Sequence, residues 1–182
     1  MPANKYNANV KGKNAKWVFL PDLGRAEGCM EISPVTAPSA TFATAPRLEY
    51  KIYIPKQGPI TAFLGILPVQ DVNPERGLRI AVSIDGDQPQ IIDARQNLVD
   101  EFKEYTAASL SRSKVLKPLP IPNRHLTLVG YNQPRRNDIF DNMRWLNVDL
   151  NSQKAGMHTI KIYMIDPEVV LEKIVVNPDD NY

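Results

Sequence analysis

An all-β domain made of two packed sheets is the fold class that this sequence predicts, and three observations predict it. Short runs alternate apolar and polar residues at period two, as in Arg47 to Ile54, Leu78 to Ile84, Met143 to Leu150 and Thr159 to Ile165. Sixteen prolines against nine glycines point to many loops between short strands, because proline is expelled from helix interiors and central strands. The strand-like runs do not alternate with helical patterns, so a two-sheet β-sandwich is favoured over an α/β fold.

With 182 residues the chain reads as one domain, spanning 1–182 and long enough to bury a core without disulfides. Hydrophobic content of 43% and charged content of 23% are ordinary for a globular protein. A net charge of +2 with scattered basic residues argues against a nucleic-acid partner. No apolar run approaches the ~20 residues of a membrane span, so no membrane partner is expected. Residues 1–14 are polar and lack a signal-peptide core, which leaves a cytoplasmic protein or a piece of something larger. The single cysteine, Cys29, rules out an internal disulfide and reads as a small buried hydrophobe.

Taken in order, residues 1–15 are polar and expected to be loosely ordered. Trp17 to Leu20 and Cys29 to Ile32 are short strands, followed by an extended connection over residues 33–46. Arg47 to Ile54 points Leu48, Tyr50, Ile52 and Ile54 to one side, and Pro59 to Leu67 follows a Gln57-Gly58 turn, which suggests a hairpin. Leu78 to Ile84 directs Ile80, Val82 and Ile84 inward and Arg79, Ala81 and Ser83 outward. Asp85-Gly86 then turns the chain into the short strand Pro89 to Asp93. Asn97 to Leu110 is the one helix expected, with Asn97 as its cap, inside a variable insert over residues 95–142. Leu146, Val148 and Leu150 share one face of the next strand, with Met143 and Trp145 on the other. The chain closes on Thr159 to Ile165 and Val169 to Val176 around an Asp166-Pro167-Glu168 turn. The second of these runs is nearly all apolar, Glu172-Lys173 being its break.

The residues offer little catalytic chemistry. There is no Gly-x-Ser-x-Gly, no glycine-rich phosphate loop, and only His125 and His158 to serve as bases. One cysteine and two distant histidines do not make a zinc site. Asp85-Gly86-Asp87 lacks the spaced oxygens of a calcium loop and reads as a turn. His158 reads as a residue that hydrogen-bonds adjacent backbone and orders the start of its strand. Trp145 suits either sheet packing or a stacking platform for a sugar ring. Tyr131, Asn132 and Arg135, in a segment read as a loop, mix an aromatic, an amide and a cation that fit an acidic sugar, and equally fit a solvated loop. Tyr131, Asn132, Arg135 and Trp145 are therefore the candidate carbohydrate-binding residues, with no catalytic and no metal residues assigned.

Leu23-Gly24-Arg25, Leu78-Arg79-Ile80-Ala81-Val82-Ser83-Ile84-Asp85-Gly86, Gly156-x-His158-Thr159-Ile160 and Asp166-Pro167-x-Val169-Val170-Leu171 together resemble the C-terminal domain of glycoside hydrolase family 115, the xylan α-glucuronidases. The resemblance runs from about Lys16 to Val176 and is poor over residues 95–142. It implies a jelly-roll β-sandwich shaped like a carbohydrate-binding module, with the catalytic machinery in upstream domains and no catalytic residue in this chain. It implies a non-catalytic accessory module that binds or positions xylan-type glycan. The alternative is a structural module that packs on the catalytic domains or mediates dimerisation. A parent enzyme of that kind would be secreted or periplasmic. No cofactor is implied, apart from a structural calcium known from sandwiches of this shape. Glu172 fits one of its places, but Asn4-Lys5-Tyr6 offers no acidic partner for the other.

Overall fold

A computed structural model describes residues 1–25, 27–69, 76–95 and 133–177. Ten strands and one helix lie within them: β1 (Ala8–Val10), β2 (Lys16–Leu20), β3 (Cys29–Ser33), β4 (Arg47–Ile54), β5 (Gly58–Ile66), β6 (Arg79–Ile84), β7 (Gln90–Asp93), α1 (Gln133–Asp141), β8 (Arg144–Gln153), β9 (Gly156–Met164) and β10 (Leu171–Asn177). They form two five-stranded antiparallel sheets, ordered β1-β4-β9-β6-β7 and β2-β3-β10-β5-β8. This is the two-sheet jelly-roll sandwich that the alternating runs and the resemblance imply.

The period-two patterns face each other across one core. Leu48 and Ile162, Tyr50 and Ile160, and Ile80 and Met164 are register partners in the first sheet. Leu64 and Leu146, Ala62 and Val148, and Leu64 and Ile174 are partners in the second. All of these side chains are buried in a single cluster, and each large aliphatic among them contributes ~1.5–3 kcal/mol by leaving water.

Two expectations are corrected, one by the pairing and one by the terminal contacts. Arg47 to Ile54 and Pro59 to Leu67 do not form a hairpin, since β4 pairs with β1 and β9 while β5 pairs with β8 and β10. The short turn carries the chain from one sheet to the other, a step that alternation cannot reveal because both strands expose the same pattern. The closing runs likewise lie in opposite sheets, with β9 beside β4 and β6, and β10 beside β3 and β5. The N-terminus is not loose. The Met1 ammonium donates to Ile174 O at 2.6 Å, Ala3 N–H donates to Glu172 O at 2.8 Å, and Ala3 is fully buried. Tyr50 Oη, buried in the core, donates to Ala3 O at 2.6 Å, so the polar terminus is recruited to satisfy a core hydroxyl.

The outward side of β6 is also covered. Ala81 and Ser83 are buried, and Ala81 packs with Ala45, Tyr163 and Ile165 beneath the connection after β3. Ala40 N–H donates to Ile165 O at 2.8 Å, and Phe42 meets Tyr163 edge-on at 6.1 Å. That connection is a lid on the first sheet, not a mere crossing.

The helix expected over Asn97 to Leu110 lies outside the described residues. The segment read as a loop around Arg135 is instead α1, Gln133–Asp141. Pro134 suggested a break, yet it stands in the first turn, where its missing N–H has no intrahelical partner to lose. The helix ends in a left-handed Asn142 with φ 47°. Asn142 N–H reaches Ile139 O at 3.1 Å and Met143 N–H reaches Asp138 O at 3.0 Å, a Schellman arrangement with asparagine in the usual glycine place.

Candidate functional site: the outer face of the second sheet

β8, β5 and β10 run side by side, so alternate residues present an ordered outer face. Trp145, Gly65 and Lys173 form one row, Asn147, Phe63 and Val175 the next, and Asp149, Thr61 and Asn177 the third. Trp145 lies at the edge of the sheet and is 43% exposed. Its ring fits because its neighbour is a glycine. A Cβ on Gly65 would stand 2.9 Å from Met143 Sδ, 3.1 Å from Lys173 Cγ and 3.3 Å from Trp145 Cζ3. The indole therefore packs down on bare backbone, and the Lys173 ammonium stands 5.3 Å from its ring centroid, within cation–π range. Thr61 Oγ1 donates to Asp149 Oδ1 at 3.0 Å along the same face. With the Lys173 ammonium over the ring and Asn147 and Asp149 exposed next to it, the exposed part of the indole can meet the C–H face of a pyranose while the ammonium neutralises a carboxylate.

Lys173 reaches this face through a bulge. The β10–β5 register shifts between Leu171 and Lys173, leaving Glu172 as the extra residue. Glu172 is fully buried. Its Oε1 accepts the Arg25 N–H at 3.0 Å, and its Oε2 is buried without a protein partner. The polar pair in an otherwise apolar strand was therefore the sequence signal for a bulge. It sends one charge inward and the other to the platform, a placement of Lys173 beside Gly65 that composition alone does not disclose.

Of the four candidate residues, Trp145 stands on this face. Tyr131 and Asn132 lie outside the described residues, and Arg135 belongs to α1 by its backbone, its side chain not being described. Among the described residues no group of three or more His, Cys, Asp and Glu side chains gathers as a metal site.

His158 ties the two ends of its strand's neighbourhood together, as its position suggested. Nδ1 lies 2.7 Å from Asp85 Oδ2 and Nε2 lies 2.9 Å from Lys154 O. Both partners can only accept, so the arrangement is fully satisfied by the protonated ring, in which both nitrogens donate. The hydrogen bond to Asp85 raises the His158 pKa, partial burial opposes it, and the Lys154 carbonyl adds to the rise. Burial pushes the Asp85 carboxyl upward, but the Thr159 N–H, at 2.8 Å, and the His158 ring outweigh it and hold it below the usual range. Neither nitrogen is left to act as a base in this arrangement. Burial, aided by Glu172, pushes the Cys29 thiol up to about 11, and it donates to Leu23 O at 3.2 Å, the reverse of an activated nucleophile.

The family model for the glycosyl hydrolase family 115 C-terminal domain matches residues 1–108 and 132–181. The unmatched stretch is thus narrower than the poorly matching segment of the resemblance. Among solved structures, a family 115 4-O-methyl-α-glucuronidase with specificity for decorated arabinogalactans aligns at TM-score 0.60 and 15% identity, over 97% of this chain and 18% of that one. A family 35 carbohydrate-binding module from Clostridium thermocellum aligns at TM-score 0.52 and 14% identity, over 97% of this chain and 96% of that one. A family 35 module from an environmental isolate aligns at TM-score 0.50 and 13% identity, over 96% and 87%. These are likenesses of fold, and this chain spans under a fifth of the glucuronidase's length. No curated protein sequence matches it. With the family model covering most of its length, the chain belongs to the glycosyl hydrolase family 115 C-terminal domain family.

Proposed function

We propose that this domain is a non-catalytic accessory module of a xylan-acting α-glucuronidase, and that it binds uronic-acid-decorated glycan of the glucuronoxylan type. The observation that carries the reading is the Trp145 indole seated over Gly65 with the Lys173 ammonium 5.3 Å from its centre. The indole takes the apolar face of a sugar ring, and the ammonium takes the glucuronate carboxylate. The fold likeness to a glucuronidase with specificity for decorated arabinogalactans supports an acidic sugar and widens the choice of main chain. Isothermal titration with aldouronic oligosaccharides from glucuronoxylan, and with glucuronic-acid-bearing arabinogalactan fragments, tests it. Heat that disappears in Trp145→Ala is expected; absence of heat with both ligand sets refutes it.

A second reading, docking on the catalytic domains, is favoured by one feature. Tyr53 and Met157 are register partners at the end of the first sheet, 67% and 63% exposed, and make an apolar pair in open solvent. If it docks there, Tyr53→Ser lowers the melting temperature of the full-length enzyme but not that of the domain.

We infer that the domain folds without a metal: the Arg25 N–H answers one oxygen of the buried Glu172 carboxylate, and the other, Oε2, which has no protein partner, is where the test looks for a cation. Equal Tm in EDTA and in excess calcium is expected; a rise with calcium would assign a cation to Glu172 Oε2. Polymeric glycan as ligand puts the parent enzyme outside the cytoplasm, which cell fractionation checks.

A further inference from the structure

We propose a second carbohydrate site, for a neutral sugar, in the cleft at the end of the sandwich opposite Trp145. The cleft lies where the edge strand of each sheet meets the other, between the β6–β7 turn and the end of β8, and has a volume of about 340 Å³. That is the small end of the roughly 300–1,000 Å³ usual for small-molecule sites and suits one or two sugar rings. Six residues of extended strand, about 20 Å, separate Asn151 at this cleft from Trp145, so the two sites are independent.

The lining is amphipathic. Ile84 and Leu150, each 1% exposed, make an apolar back wall. Asp87, Gln88 and Asn151 stand exposed around it. Ser83 is 2% exposed, lines the same cleft, and its Oγ has no hydrogen-bond partner in the protein. The hydroxyl is itself enclosed, so Ser83 marks the floor of the cleft, and the exposed Asp87, Gln88 and Asn151 are the groups a ligand meets.

Both lips are held in place before any ligand arrives. Gln90 Nε2 donates to Asp149 O at 2.6 Å and joins β7 to β8. On the far side, Asp85 is fixed by Thr159 N–H at 2.8 Å, by the His158 ring at 2.7 Å and, through its carbonyl, by Lys161 Nζ at 2.6 Å. A preformed cleft spares the ordering cost of binding.

The chemistry selects the ligand class. Amides offer both donors and acceptors and the Asp87 carboxylate accepts two hydroxyls at once, a match for the vicinal diols of a sugar. The apolar wall takes its C–H groups. Among the described residues no cation is in the lining, His158 and Lys161 are engaged with Asp85, and Asp87 repels a carboxylate, so a neutral sugar fits better than a uronic acid. The module would then hold an unsubstituted stretch of main chain here and a decorated stretch at Trp145.

NMR titration of the full chain with xylotriose, and separately with glucuronic acid, tests the assignment. Xylotriose is expected to shift the backbone amides of Ser83, Gln88 and Asn151 and the side-chain amide of Gln90, leaving the Trp145 indole N–H unmoved. Glucuronic acid is expected to leave all four amides unshifted. Asp87→Ala and Gln88→Ala alter exposed turn positions, and Asp87→Ala is expected to weaken xylotriose roughly tenfold through the lost charged acceptor. Shifts confined to Trp145, equal response to both sugars, or unchanged xylotriose affinity in both variants would each overturn the proposal.

Discussion

Asp166 is buried to 0% exposure at the point where β9 leaves the first sheet for the second. Its Oδ2 accepts the Arg79 backbone N–H and Nε, both at 2.8 Å, while Oδ1 accepts Arg79 Nη2 at 3.1 Å and Ser39 Oγ at 2.6 Å. One carboxylate thus joins the start of β6, the end of β9 and the covering connection. Asp166→Ala removes four bonds and leaves a charged partner behind. Breaking one side of a buried pair costs about 3–5 kcal/mol. The Arg79 side chain is 36% exposed and can rehydrate, so the cost belongs at the low end, ~3 kcal/mol, much of it from the stranded backbone N–H. For a domain of this size that is a fall in Tm of roughly 6–12 °C. Urea unfolding and calorimetry of Asp166→Ala, Arg79→Met and the double variant measure it. The double variant should be less destabilised than the sum by more than ~1 kcal/mol. A loss under about 1 kcal/mol in Asp166→Ala, or simple additivity, would refute the reasoning.

Gly65→Ala places a methyl against Met143 Sδ and the Trp145 ring; the indole should lift from the sheet, at a cost of about 1–3 kcal/mol for the overpacking, seen as a shifted tryptophan fluorescence maximum and a lower Tm. The His158–Asp85 pair makes stability depend on pH in two directions. The raised His158 pKa contributes stability that is complete below its unfolded value of ~6.5 and is lost as pH climbs through the folded value. The lowered Asp85 pKa contributes stability present above ~3.9 and lost as pH falls through the folded value. Tm measured against pH should decline on the alkaline side in the wild type and flatten there in His158→Gln. Cys29, buried and with its thiol pushed up to about 11, should resist iodoacetamide at pH 8 in the folded protein and react on unfolding in urea, read by mass spectrometry.

How much of this was legible beforehand follows from range. Leu48, Ile52, Ile80, Val82, Leu146, Val148, Ile160 and Ile162 were placed inward from alternation alone, and all are buried in the core, because side-chain direction in a strand is set by immediate neighbours. Trp145 stands out in the sequence as one of two tryptophans, but its partner Lys173 shows there only as a break in an apolar run. The bulge that presents it exists by virtue of pairing with β5, a strand more than a hundred positions away. The same limit hid the capped helix α1, where Pro134 and Asn142 act through position in a turn and not through composition.

The sequence by itself determined the all-β class, the inward faces of the strands, the Asp85-Gly86 turn and the backbone-ordering place of His158, since each depends on residues within a few positions of one another. Only the tertiary structure decided which strands pair and which change sheet, that Asp166 is a staple as well as a turn marker, and that Trp145, Gly65 and Lys173 share one row. Those are contacts between segments distant in the chain, and they arise from the closure of two sheets over a common core. Local periodicity carries no record of it.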